Sequence, residues 1–142
     1  MTAWKRLSST SSDPSILLIR LMVGSVFLSE GIQKFLFPYL RGSGRFEKIG
    51  LPAPDFLGNM VGSFEILCAA FILIGFLTRI AAVPLITIMI VAITITKLPI
   101  LKQDDVWQML HACRTDWCML LGSIFLLWKG GGKWSLDARL FR

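Results

Sequence analysis

Charged side chains interrupt the first long apolar segment of this chain. The stretch "SVFLSEGIQKFLF", residues 25–37, places Glu30 and Lys34 one helical turn apart among aliphatic and aromatic neighbours. An ionised group that is buried without a partner is strongly destabilising, so such residues in an apolar segment mark an ion pair, a ligand site or a proton site. Two interpretations follow: a local i, i+4 ion pair, or part of a polar site shared with other helices.

A further carboxyl group lies in the middle of the second apolar segment. Glu65 occurs within "FLGNMVGSFEILCAAFILIGFL", residues 56–77. Near the centre of a membrane helix, an ionisable residue usually marks a ligand or proton site. The alternative is that a hydrogen bond holds the carboxyl group between helices. We favour the functional interpretation for this residue.

The last apolar segment carries a polar stripe. His111, Arg114, Thr115 and Cys118 have the spacing i, i+3, i+4, i+7, which places them on one face of a helix. We predict a ligand or proton site between the first, second and fourth helices, lined by Glu30, Lys34, Glu65, His111 and Arg114. The alternative interpretation of His111 is that it is an ordinary hydrogen-bonding residue at the membrane interface.

The sequence contains no residue pattern typical of metal, thiol or phosphate chemistry. Because His111 is the only histidine, bis-histidine ligation within one chain is impossible, and we predict no metal site. Cys68 lies inside an apolar segment, and Cys113 and Cys118 are five residues apart, so we predict no C-x-x-C redox pair and no disulfide between them. No nucleophile elbow or phosphate-binding glycine loop is present, and no catalytic residue is assigned.

The composition indicates a membrane protein. The chain has 142 residues, of which 54% are hydrophobic, and its mean hydropathy is +0.66. Its apolar residues occur in blocks about as long as the ~20 residues that cross a bilayer. We predict a single-domain, all-α integral membrane four-helix bundle with spans at about 16–37, 56–77, 80–98 and 106–128. Pro99 is expected to end the third span. The other segments are a polar cytoplasmic leader, an irregular outer loop and a basic cytoplasmic tail, at residues 1–15, 38–55 and 129–142.

Small residues accompany the charges on the helix faces. At 100° per residue, Arg20, Phe27 and Lys34 share one face of the first helix with two glycines, and two further glycines share the face of Glu65. Small residues let helices approach closely in membranes, so we predict helix packing at Gly24, Gly31, Gly58 and Gly62. Arg20, near a helix end, is interpreted as reaching the lipid headgroups.

The net charge of +6 does not indicate a nucleic-acid partner. The cations flank apolar spans and form no stripe with interleaved aromatic residues, so the lipid bilayer, with anionic headgroups, is the expected partner. The tryptophans fall near span ends, as in an aromatic belt. Cations are almost evenly divided between the two sides. The basic leader and tail lie closest to their helices, and we therefore favour cytoplasmic termini.

Several segments together resemble one family. The chain combines "LLIRLMVGSVFLSEGIQKF", "FEKIGLPAP", "SFEILCAAFILIGFLTRIAA" and "GGGKWSLDARL". In order and spacing they are similar to the DoxX family of small bacterial four-helix membrane proteins. The resemblance implies a protein of the bacterial cytoplasmic (inner) membrane, related to the small subunit of a thiosulfate-oxidising quinone reductase and associated with respiratory or oxidative-stress redox systems. The vicinal cysteine pair of redox-active relatives is absent, so thiol oxidoreductase chemistry is not expected.

The expected function is that of an accessory or quinone-interacting component of a membrane redox system, and not of a free-standing enzyme. We expect no covalently bound cofactor, with a quinone or quinol as the candidate ligand. The expected partners are redox-complex subunits or a second copy of the chain. A small transporter and a purely structural membrane subunit are the alternatives.

Overall fold

The computed structural model describes residues 9–141, which are helical and contain no strand. The first eight residues, including Trp4, Lys5 and Arg6 of the predicted leader, lie outside the described residues, as does Arg142. One π-helical turn, Ile93–Lys97, joins two of the α-helices. In chain order the α-helices are α1 (Ile16–Leu36), α2 (Pro38–Arg41), α3 (Ser43–Lys48), α4 (Pro54–Ile74), α5 (Thr78–Ala92), α6 (Leu98–Gln103), α7 (Val106–Lys129) and α8 (Leu136–Leu140).

The four long helices form an up-down-up-down bundle. α1 packs on α4, α4 on α5, and α7 on both α5 and α1. The two ends of the described chain meet, because the Ser11 amide donates to the Lys129 carbonyl at 3.0 Å and the Lys133 amide donates to the Asp13 carbonyl at 3.3 Å. We call this the terminal end of the bundle. The opposite end, which carries α2, α3 and α6, is called the loop end.

The all-α membrane fold predicted from the sequence is confirmed. Three helical segments of the described chain are long and apolar enough to cross a membrane: Ile16–Leu36, Pro54–Ile74 and Thr78–Gln103. α7 has 24 residues and so extends about 36 Å, at 1.5 Å per residue. It begins at Val106, as predicted, and the Asp105 side chain caps it by accepting a hydrogen bond from the Gln108 amide at 2.8 Å. The fourth bundle helix is therefore as long as the others but more polar.

The third long helix continues beyond its predicted end. Pro99 does not terminate it, because the π-helical turn Ile93–Lys97 precedes the proline and α6 continues to Gln103. The Leu98 amide bonds to the Ile93 carbonyl five residues back. The wider turn shifts the hydrogen-bond register, so a proline without an amide hydrogen fits at the start of α6.

Residues 38–55 are also more helical than predicted. The segment was predicted to be an irregular loop, but its glycines allow close packing of α2 and α3. A Cβ atom on Gly42 would lie 2.6 Å from the Lys34 carbonyl oxygen, and one on Gly44 would lie 2.5 Å from the Tyr39 carbonyl oxygen. The connection is therefore a compact cap on the loop end of the bundle.

The helix faces that pack together are those that the spacing of the glycines predicted. The predicted glycines are buried, and their contacts show how closely α1 and α4 approach. A Cβ atom on Gly31 would lie 2.9 Å from the Gly62 carbonyl oxygen, while one on Gly58 would lie 2.8 Å from the Ser43 amide nitrogen. On the opposite face of α1, the side chains are exposed, as expected for lipid contact: Leu21, Met22, Ile32 and Leu36.

Arg20 does not reach the surface, contrary to the prediction that it contacts lipid headgroups. The residue is only 2% exposed, and its guanidinium donates to four backbone carbonyls. Two of them end α4, namely Ile72 at 2.8 Å and Leu73 at 2.6 Å. The others lie in the C-terminal tail, namely Gly131 at 3.1 Å and Trp134 at 2.6 Å. Arg20 thus fastens α1 to the end of α4 and to the tail.

The tail is a folded part of the terminal end. The carboxylate of Asp137, 3% exposed, accepts hydrogen bonds from the amides of Leu77 and Thr78 at 2.7 and 3.0 Å and from the Thr78 hydroxyl at 2.8 Å. It caps the first turn of α5, whose amides have no partner within the helix. The Ser135 hydroxyl accepts from the Ala138 amide at 3.1 Å and caps α8. The tail, expected as a basic segment, thus contains a short helix of its own.

Candidate functional site in the bundle cavity

A buried ion pair joins α1 to α4. The ammonium nitrogen of Lys34 lies 2.7 Å from Oε2 of Glu65, and the Glu65 side chain is only 2% exposed. The two side chains meet because Lys34 lies on the glycine-bearing face of α1 and Gly62 opens the matching face of α4. The ion pair of Lys34 is thus formed between helices, with Glu65, and not with Glu30 in the local i, i+4 arrangement that was one of the two interpretations.

Oε2 of Glu65 has only the Lys34 ammonium beside it. The two atoms are 2.7 Å apart, and no other described residue donates to this oxygen. A carboxylate oxygen has two lone pairs, so a single ammonium leaves part of its acceptor capacity unused. A hydrogen-bond donor on a ligand would complete the site.

The ion pair borders a cavity of about 540 Å³. This volume falls within the range of small-molecule sites. Apolar side chains from every long helix and from the cap at the loop end form most of its wall, including Val26, Phe46, Met60, Ile88 and Met119. An apolar wall with a few polar groups at fixed positions is the usual composition of a site for an apolar ligand with polar substituents.

Glu30 is a second carboxyl group on this wall. It is half-buried one turn before Lys34 on α1 and forms no ion pair with the described residues. Three of the five predicted site residues, Glu30, Lys34 and Glu65, are therefore brought together at the cavity.

The placement of His111 and Arg114 in the pocket is wrong. Both are exposed and neither lines the cavity; the Arg114 guanidinium donates to the His111 carbonyl at 2.6 Å. The cavity face of α7 carries a different stripe with the same spacing, namely Ala112, Thr115, Asp116 and Met119. The predicted stripe was displaced by about one residue, which corresponds to 100° around the helix.

Sequence reasoning missed a second ion pair on the wall. The Lys97 ammonium, in the π-helical turn, lies 3.4 Å from a carboxylate oxygen of Asp116 on α7. The signal was available, because one charge ends the third apolar block and the opposite charge interrupts the fourth. The pair also compensates the charge that makes α7 less apolar than the other long helices.

The remaining side chains offer no metal or thiol centre. Within residues 9–141, no group of three metal-ligating side chains is present. Cys68, Cys113 and Cys118 are all free, the first two buried and the third exposed. The polar groups available to a ligand in the cavity are therefore carboxylates, ammonium and guanidinium groups, and hydroxyls.

These features define a class: a small all-α integral membrane protein with a charged cavity inside its bundle. The chain belongs to the DoxX family, whose family model matches residues 15–98. It is 53% identical, over 144 aligned residues, to the uncharacterized membrane protein Rv3486 of Mycobacterium tuberculosis (strain ATCC 25618 / H37Rv). That alignment covers 97% of this chain and 88% of the relative. No solved structure matches the chain.

Proposed function

We propose that the protein is a quinone-interacting accessory component of a redox system in the bacterial cytoplasmic membrane. The observation that carries the proposal is the cavity itself, which combines an apolar wall with the buried Lys34–Glu65 pair and a second carboxyl group, Glu30, that forms no ion pair with the described residues. A quinone and its quinol need this combination, because an apolar ring and tail carry two oxygen substituents that accept or donate hydrogen bonds.

The roles of the chain's own residues follow from their chemistry. Glu65 accepts a hydrogen bond from a quinol hydroxyl, and Lys34 donates to a quinone oxygen, so either redox form finds a partner at the same place. A quinone supplies two-electron, two-proton chemistry, while the chain binds and orients it. Redox partner subunits would exchange the electrons, because the described residues of this chain hold no metal or thiol centre of their own.

A transporter is less well supported, because the terminal end of the bundle is closed. Below the cavity the core is packed with apolar side chains, including Ile16, Val23, Ile72 and Leu126, each at most 1% exposed. Arg20 and the folded tail cover this core. A continuous polar path would have to cross both layers.

Removing the ionisable proton of Glu65 tests the proposal. Purification in mild detergent, followed by solvent extraction and mass spectrometry, is expected to find quinone bound to the wild type. Glu65→Gln keeps the shape but loses the negative charge, so we expect roughly tenfold lower retention. The variant should also lose some thermal stability, because Lys34 loses its counter-charge, but less than Glu65→Leu, because the amide oxygen still accepts a hydrogen bond from the ammonium.

Glu47→Gln is the matched control for this experiment, because it makes the same chemical change on an exposed side chain of α3 outside the cavity. Its quinone content should equal that of the wild type. A wild-type preparation without quinone, or a Glu65→Gln variant with full retention, would contradict the proposal.

The proposal includes cytoplasmic termini. Support comes from the exposed cations Lys129, Lys133 and Arg139 at the terminal end, and from the exposed carboxylates at the loop end, Glu47, Asp55, Asp104 and Asp105. Reporter fusions after Phe141 and within residues 41–48 are expected to report opposite sides of the membrane, with the former cytoplasmic. A periplasmic fusion after Phe141 would reverse the orientation, and a same-side result would show that one bundle helix does not span.

A further inference from the structure

Two arginines of the cap at the loop end also line the cavity. Arg41 is the last residue of α2, and Arg45 is the third residue of α3. Arg41 is exposed and Arg45 is half-buried, and neither guanidinium forms an ion pair or hydrogen bond with a described side chain or backbone group. We call this pair of guanidinium groups the rim.

The charges of the wall do not balance. Four cations and three carboxylates line the cavity. Lys34 is paired with Glu65 and Lys97 with Asp116. The two rim arginines remain against a single carboxylate, Glu30. One positive charge is thus in excess, and in a mostly apolar enclosure it favours an occupant with one negative charge.

The rim lies at a different depth from the Lys34–Glu65 pair. The start of α3 contacts α4 at Gly58, where the Ser43 amide lies 2.8 Å from the position of an added Cβ atom. Glu65 is seven residues further along α4, about 10 Å deeper at 1.5 Å per residue. Phe46, Ile49 and Leu57 line the wall together with the rim. A charged head at the rim and an apolar chain along these side chains can therefore be bound together.

We propose that Arg41 and Arg45 bind the head of a singly charged anionic amphiphile whose chain enters the cavity. Guanidinium groups pair with phosphate and carboxylate oxygens through charge-assisted hydrogen bonds, often two at a time. The anion is supplied either by the phosphodiester of a bilayer lipid or by the carboxylate of a free fatty acid. The rim is a subsite separate from the Lys34–Glu65 pair and is independent of whether a quinone binds there.

Lipid binding to the delipidated, full-length protein tests the rim. Native mass spectrometry with phosphatidylglycerol, phosphatidylcholine and oleate as probes measures the affinity for each. We expect phosphatidylglycerol or oleate to bind well above phosphatidylcholine, and the tighter of the two identifies the source of the anion. Arg41→Gln/Arg45→Gln should weaken that binding roughly tenfold or more, because two charged donors are lost.

The control variant is Lys48→Gln/Lys102→Gln, which removes the same charge from exposed cations at the same end that do not line the cavity. It should bind like the wild type. Arg41→Gln alone changes an exposed side chain and should fold, with an intermediate loss of affinity. Glu65→Gln should bind the anionic probe at least as tightly as the wild type, because it removes a negative charge from the wall, and this separates the subsite from the quinone proposal. Equal binding of phosphatidylcholine, or undiminished binding by the rim variants, would overturn the inference.

Discussion

Replacing Arg20 with leucine is expected to lower the free energy of unfolding by about 3–5 kcal/mol and to release the C-terminal tail. The guanidinium donates to four carbonyls, and two of them, Ile72 and Leu73, belong to the last turn of α4. The Ile72 carbonyl also accepts from the Gly75 amide at 3.1 Å, and both carbonyls lie at the negative end of the α4 dipole, so a buried cation is well placed there. Leucine supplies neither donor nor charge.

The measurements are thermal unfolding in mild detergent and limited proteolysis of residues 130–141. Arg20→Lys should be intermediate, because an ammonium group keeps the charge but has three donors for four acceptors. Arg139→Leu, an exposed cation of the same end, is the control and should melt near the wild type. A stable Arg20→Leu protein with a protease-resistant tail would show that the carbonyl cluster contributes little to the fold.

Helix faces could be predicted from the sequence because a fixed angle of 100° per residue determines them. The buried face of α1, with Gly24 and Gly31, and that of α4, with Gly58 and Glu65, follow from spacing alone. Once these faces are turned together, Lys34 and Glu65 are brought into contact. The contact between Lys34 and Glu65 was therefore within reach of sequence reasoning, which left open both a local pair with Glu30 and a polar site shared between helices.

Contacts that depend on backbone groups distant in the chain could not be predicted in the same way. The acceptors of Arg20 lie 52 to 114 residues away in the chain. They are backbone carbonyls, which every residue has, so the residue types do not identify them. Asp137 lies in the segment predicted to be a basic tail, and its carboxylate caps α5 from there. In both cases the partner of the side chain is brought close only in the folded bundle.

The fourth helix of the bundle, α7, shows how a small error in the rotation of a helix about its axis changes a site assignment. Two stripes with the same spacing run along α7, one through His111 and Arg114 and the other through Ala112 and Asp116. Polarity favoured the first stripe. Packing selected the second, because Lys97 on the neighbouring helix pairs with Asp116 and draws that face into the bundle. Charge pairing between adjacent helices was a better guide to rotation than the number of polar residues on a face.

The Lys34–Glu65 pair gives the second large effect on stability. Removing either partner leaves the other charge in place without its counter-charge. Glu65→Leu leaves the Lys34 ammonium buried beside an apolar side chain, and we expect a loss of about 3–5 kcal/mol in the free energy of unfolding. Lys34→Met leaves the Glu65 carboxylate, which is 2% exposed, without the cation that lies beside it. A comparable loss is expected for that variant.

The double variant Lys34→Met/Glu65→Leu separates stability from function. Replacing both members of a buried ion pair with apolar residues of similar size is often neutral or stabilising, because neither charge has to be desolvated. We therefore expect the double variant to melt near the wild type, with a coupling free energy of about 3 kcal/mol or more in a double-mutant cycle, and to retain no quinone. Additive losses would mean that the two charges do not compensate each other. A well-folded double variant that still bound quinone would remove Glu65 and Lys34 from the site, because an apolar cavity alone would then be sufficient for the ligand.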